Sequence, residues 1–187
     1  MKKRLFIAIN LPENIKDEIE KAVEKIRYEF IDDVRFVGRE NWHLTVTFLG
    51  LQEDGAIGPI LDGINNAAGS FEAPEIEITD IDYGPKNKPP RMIWLNGSVK
   101  TSKQMGEIKD AMEDSLVDGG VVFGMEHRGF NAHITLARLQ SFENLPEIKT
   151  DLNLRFLAKS LDLMESELLR SGAEYEVLQR SLFLKAE

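Results

Sequence analysis

Two short runs carry one chemical pattern: His43-Leu44-Thr45-Val46 within WHLTVTF (42–48), and His133-Ile134-Thr135-Leu136 within FNAHITLAR (130–138). The chain holds three histidines and six threonines. Chance poorly explains why two of the three histidines share a frame of hydroxyl and apolar residues, although short patterns do recur by accident. On a β-strand, residues two apart lie on one face, about 6.5–7 Å from each other. Leu44, Val46 and Phe48 would then pack inward, leaving His43, Thr45 and Thr47 on the other face. Ile134 and Leu136 would likewise leave His133, Thr135 and Ala137 outward. If the two outward faces meet across a gap, two imidazoles and two hydroxyls surround a phosphate-sized space. That set suits displacement at phosphorus, which needs a base for the nucleophile's proton and an acid for the departing alkoxide. Histidine, with an ordinary pKa of about 6.5, fills either role near neutrality. Threonine hydroxyls donate to the non-bridging oxygens where charge accumulates.

Other chemistries have less support. A lone histidine on a strand is usually structural, but a matched pair in a repeated frame favours function. A zinc site needs at least a third protein ligand. His127, Glu126 and Asp110 are not placed with the pair by any spacing, so neither a metal nor a cofactor is expected. His127 reads as a loop or surface residue. No nucleophile-elbow sequence supports a Ser-His-Asp hydrolase.

The elements that must position the pair repeat along the chain. RLFIAIN (4–10) reads as a short strand. Pro12 then opens an amphipathic helix over 12–30, with Ile15, Ile19, Ala22, Val23, Ile26 and Phe30 on one face. The first histidine strand follows at 42–49. RMIWLNG (91–97) is a second short apolar run. Thr101 with Gln104 suggests a capping box, and Met105, Ile108, Met112 and Leu116 mark a helix ending before Gly119-Gly120. The second histidine strand follows at 132–139. From Arg4 to His43 is 39 residues and from Arg91 to His133 is 42. The spacing predicts a single domain over 1–187 built of two related, intertwined lobes, repeated roughly as 4–49 and 91–139. Residues 54–69 read as a helix with Asp54 as a cap, 75–83 as a half-buried strand, and 161–168 and 175–184 as strands joined by a turn at Ser171-Gly172. Helices mixed with hairpin-like strands argue for an α+β fold.

Composition bounds the partners. The 187 residues carry a net charge of −9, with 42% hydrophobic and 29% charged residues and no cysteine. Disulfides, thiolate metal sites and a cysteine nucleophile are excluded, and the location is expected to be cytoplasmic. The opening MKKRLFIAINLPE reads as a first strand rather than a signal peptide. No apolar run reaches the ~18–20 residues of a membrane span. Broad binding to duplex nucleic acid needs a basic face, so a nucleic-acid partner must be read at a small local site. The basic PKNKPPR (85–91) is either a solvated turn or a phosphate-steering loop.

The pair HLTVTFLG and HITLAR resembles the two-histidine (HxTx) phosphoesterases. RLFIAINLPE, RMIWLNG, HRGFNAHITLAR and GAEYEVLQRSLF make the chain most similar to the LigT-like RNA 2′,3′-cyclic phosphodiesterases, also called 2′-5′ RNA ligases. The resemblance implies a bilobal fold, with pseudo-symmetric lobes of antiparallel-type sheet, helices packed outside and a central cleft. It also implies metal-independent opening of a terminal ribose 2′,3′-cyclic phosphate on RNA, leaving a 2′-phosphate. It makes His43 the proton donor, His133 the proton acceptor, and Thr45 and Thr135 the phosphate-binding residues; the residues alone do not distinguish donor from acceptor. Arg128 and Arg138 match family positions, and Arg128, Arg138, Tyr175 and Phe48 are candidates for the substrate shell. Alternation sends Arg138 to the face opposite His133, and core packing is the preferred reading of Phe48. The family usually has proline before the second histidine, where this chain has Ala132. Expected partners are RNA ends bearing a cyclic phosphate or small cyclic nucleotides, with no membrane and no obligate protein partner. The competing readings are 2′-5′ ligation or small cyclic-nucleotide hydrolysis at the same site, and a non-catalytic RNA-end-binding module.

Overall fold

The computed structural model describes residues 2–30, 34–126, 128–141, 143–148, 150, 152–169 and 172–185, and only the backbone at 168, 169 and 172. His127 and Ser171 lie outside the described residues. The strands are β1 (Lys2–Asn10), β2 (Val34–Phe36), β3 (His43–Glu53), β4 (Glu75–Gly84), β5 (Met92–Gly97), β6 (His133–Leu139), β7 (Leu154–Leu157), β8 (Ser160–Leu169) and β9 (Gly172–Leu182). The helices are α1 (Glu13–Arg27), α2 (Ile57–Ala68) and α3 (Val99–Asp118).

The strands form one antiparallel sheet in the order β7-β4-β5-β6-β3-β1-β8-β9, with β2 beside β6. The halves meet where β3 pairs β6 through Leu44 and Ile134. Beyond that contact β2 occupies the edge of β6, opposing Val34, Arg35 and Phe36 to Leu139, Arg138 and Ala137. Alternation in β1 shows how the sheet divides its faces. Leu5, Ile7 and Ile9 join the main core with the inward faces of α1, α2 and α3. Phe6 and Ala8 join Met164 in a small second cluster on the other face, with Tyr175 and Val177 packed against it. The result is an α+β fold.

Several elements depart from expectation. α1 ends at Arg27, and Phe30 turns back to pack edge-on against Phe36 and Tyr83. Asp54 does not cap a helix; it opens a short 3-10 turn, Asp54–Ala56, and α2 begins after it. The cap of α3 is Ser98, whose Oγ accepts from the Thr101 amide at 3.1 Å. Thr101 is buried in the first turn, and its Oγ1 accepts from the Glu77 amide at 2.9 Å. β2 and β7 span only 3 and 4 residues, too short for an alternation pattern to be read.

Candidate active site

The two histidine strands are held alike by their neighbours. In β1–β3, Asn10 faces His43 and Ala8 faces Thr45. In β5–β6, Asn96 faces His133 and Trp94 faces Thr135. The register then slips in both pairs at one point: Ile7 faces Thr47, passing Val46, and Ile93 faces Ala137, passing Leu136. Each histidine strand therefore bulges immediately after its threonine, and a bulge resets which face the following residues occupy.

The bulges correct four alternation-based readings. Thr47 is buried rather than outward, donating to Glu113 Oε1 at 2.8 Å, and Phe48 is turned out at 67% exposure. Ala137 is fully buried, and Arg138 returns to the His133 face as an exposed residue. A cavity of about 360 Å³ is accordingly lined by His43, Thr45, His133 and Thr135 together with Phe48, Arg138 and Tyr175. Arg4, Phe6, Asn41 and Ser166 also reach it. Arg128 does not line this cavity; its Nε donates to Glu126 Oε2 at 2.8 Å on the surface. Asp110 is exposed on α3, and among the described residues no three His, Asp or Glu side chains are grouped as metal ligands.

Both imidazoles are oriented by main chain. His43 Nδ1 donates to the Asn41 carbonyl at 2.8 Å, and His133 Nδ1 donates to the Asn131 carbonyl at 2.7 Å. A carbonyl only accepts, so each neutral ring carries its proton on Nδ1 and keeps a lone pair on Nε2. Thr45 Oγ1 donates to His43 Nε2 at 3.1 Å, whereas Thr135 Oγ1 lies 3.9 Å from Met92 Sδ. Burial pushes the His43 imidazole down to about 4, opposed by its bond to Asn41 and reinforced by His133. Burial also lowers His133, with its bond to Asn131 opposing and the Arg128 charge adding to the effect. Both rings are therefore held neutral at pH 7.

Aromatic packing fixes the rings further and includes residues not singled out from sequence. His43 lies 5.0 Å from Phe6 and meets Tyr175 edge-on at 5.1 Å. His133 is stacked on Trp94, with centroids 4.0 Å apart and planes at 29°. Trp94 in turn lies where a Cβ on Gly84 would approach its ring to 2.2 Å, so only glycine admits this indole. No local feature of RMIWLNG marks Trp94 as a partner of the ring; only the β5–β6 register brings them together. The entry to β6 has its own support. The Ala132 amide, a donor that proline would lack, bonds Ser102 Oγ at 3.1 Å, and the Ala132 carbonyl accepts from the Gly97 amide at 2.8 Å.

Comparison with known proteins finds likenesses along most of the chain. A family model described as LigT like phosphoesterase matches residues 9–94, which include His43 and Thr45. The chain is 29% identical over 183 residues to an RNA 2′,3′-cyclic phosphodiesterase of Methanocaldococcus jannaschii, covering 94% of this chain and 98% of that one. It is 24% identical over 184 residues to the Thermotoga maritima protein of the same name, covering 96% and 95%. A crystal structure of a Thermus thermophilus protein matches with a TM-score of 0.81 at 22% identity, covering 96% of this chain and 97% of that one. Escherichia coli LigT complexed with 3′-AMP matches at 0.73 and 24% identity, covering 98% and 99%. With paired histidine–threonine strands lining one cleft and likenesses that run nearly end to end, the chain is similar in sequence to the LigT-like phosphoesterases and shares the fold of LigT.

Proposed function

We propose that the protein is an RNA 2′,3′-cyclic phosphodiesterase, a metal-independent hydrolase that opens a terminal ribose 2′,3′-cyclic phosphate to a 2′-phosphate in the cytoplasm. The observation that carries this reading is the matched presentation of two imidazoles, each tethered at Nδ1 to a main-chain carbonyl so that Nε2 is the accepting nitrogen, around one cavity. The reading treats the two halves of the sheet as duplicated lobes of one domain, each supplying a histidine and a threonine.

In the proposed reaction, His133 Nε2 takes a proton from water as the water oxygen bonds to phosphorus. The bond from phosphorus to the 3′-oxygen breaks, and His43 Nε2 delivers a proton to that oxygen. Thr45 and Thr135 hydroxyls donate to the non-bridging oxygens, and Arg138 offsets the charge that develops there. The roles of the two histidines follow the family resemblance. Because burial keeps His43 neutral, the anionic substrate must itself raise the proton affinity of that ring.

Incubation with cytidine 2′,3′-cyclic phosphate in excess chelator is expected to yield the 2′-phosphate. His43→Ala and His133→Ala are each expected to lower kcat by ~10²–10⁴-fold with circular dichroism unchanged. A 3′-phosphate product, near-wild-type turnover by both variants, or activity lost in chelator and restored by added metal would overturn the proposal.

A further inference from the structure

Each imidazole is aimed by a carbonyl on the segment that enters its strand, and each of those segments is fastened to a helix. The approach to β6 is fastened to α3, where Ser102 Oγ accepts from the Ala132 amide. The approach to β3 is a short 3-10 turn, Arg39–Asn41, and its fastening lies on α1. Glu13, Asp17 and Glu20 recur at helical spacing, so their carboxylates form an exposed row on α1, away from the buried face of Ile15, Ile19, Val23 and Ile26. Left alone, carboxylates four residues apart repel. Arg39 answers the row: its Nη2 lies 2.9 Å from Glu13 Oε2 and 2.7 Å from Asp17 Oδ1, and its Nη1 lies 2.7 Å from Glu20 Oε2. Lys16 also reaches Glu13, at 3.1 Å. A single exposed ion pair orders little, but a planar fork holding three carboxylates is a network with a fixed direction.

The gripped turn ends where His43 begins. The Asn41 amide donates to the Gly38 carbonyl at 2.9 Å, and the Trp42 amide donates to the Arg39 carbonyl at 3.3 Å. Trp42 is buried and its Nε1 donates to the Val37 carbonyl at 3.1 Å, while Asn41 Nδ2 donates to the Ala173 carbonyl at 3.3 Å. The Asn41 carbonyl then accepts from His43 Nδ1 at 2.8 Å. We propose that Arg39 is a positioning residue for His43: by gripping three carboxylates of α1 it fixes the turn whose Asn41 carbonyl aims the imidazole. Arg39 does not line the cavity between the histidines, so it acts through the main chain. His133, fastened through α3, lies outside its influence. The kinetic consequence rests on the cyclic phosphodiesterase reading; the aim of the ring does not.

The test reads each ring separately. Long-range proton–nitrogen correlation spectra at neutral pH, with ring signals assigned by His43→Gln and His133→Gln, are expected to show the proton on Nδ1 of both wild-type rings. In Arg39→Met the two ring nitrogens of His43 should move toward each other as its tautomers mix, while those of His133 stay in place. With cytidine 2′,3′-cyclic phosphate, kcat should fall roughly 10- to 100-fold with KM unchanged, the scale of an ångström-sized misplacement. Arg39→Lys should recover only part of that turnover, because one ammonium cannot span the three carboxylates. Joint Glu13→Gln, Asp17→Asn and Glu20→Gln alter exposed carboxylates alone and should reproduce Arg39→Met. Glu18→Gln, whose carboxylate pairs with Lys21 instead, should leave both readings unchanged. Unmoved His43 signals in Arg39→Met and in the carboxylate variant, or His133 signals that move along with them, would overturn the proposal. A loss expressed in KM with kcat intact would overturn it as well. Absence of wild-type turnover would instead overturn the cyclic phosphodiesterase reading, and the spectra would still decide the role of Arg39.

Discussion

At the scale of single residues, the two imidazoles set the pH behaviour. A histidine held at about 4 in the folded chain and near 6.5 unfolded is protonated first in the unfolded state. Its contribution is complete above pH 6.5 and lost as pH falls toward 4, an effect of about 3 kcal/mol at 1.36 kcal/mol per unit. Urea melts from pH 7 to 4.5 are therefore expected to show wild type losing stability more steeply than His43→Gln; parallel slopes would refute this. Catalysis follows the same logic. The proposed reaction needs one ring protonated and one neutral, and both are lowered in the free protein, so kcat/KM is expected to peak below pH 6.5. The kcat profile, which reports the complex with its anionic substrate, should peak at higher pH. The histidine–threonine pairs were legible because two chemically loaded residue types recur in one frame. Trp94 was not legible as a partner of His133: an apolar strand gives a tryptophan no reason beyond packing until the register sets it beside the ring. Trp94→Leu is expected to lower kcat up to tenfold by removing the face that favours the imidazolium form, measured by steady-state turnover.

At the scale of elements, the decisive features are the two bulges. Alternation located both strands and placed their first four residues correctly, then failed at the fifth in each. Nothing in VTF or LAR announces an extra residue, because Thr47 and Ala137 suit either face. What holds the first bulge lies on another element: Thr47 bonds Glu113 of α3, which is also paired with buried Lys109 at 2.7 Å. Glu113→Ala leaves that ammonium buried without its carboxylate, and chemical denaturation should register a loss of about 3–5 kcal/mol. Replacing Lys109 and Glu113 together by leucines should recover most of it. The cap of α3 was misread for a related reason. Ser98 and Thr101 both fit a capping pattern, and only burial of Thr101 against β4 decides between them.

At the scale of the whole molecule, the sheet joins its halves through the Leu44–Ile134 contact, and the first cavity takes walls from both sides of that seam. The order of strands in the sheet was not legible, since pairing between distant segments leaves no local mark. Ile134→Ala is expected to cost about 2–5 kcal/mol, as does Ile76→Ala in β4. The two should differ in kinetics: the seam variant loses kcat because it loosens both histidines relative to each other, while Ile76→Ala retains it. Matching losses of kcat at matched stability would show that the seam has no special part. The main-chain tethers of the rings have a consequence for how the site tolerates change. Asn131 contributes only its carbonyl to His133, so no side-chain replacement there deletes the tether. The aim of the imidazole is inherited from the path of the polypeptide itself, and drift in the surrounding residues can retune what enters the cleft without disarming it.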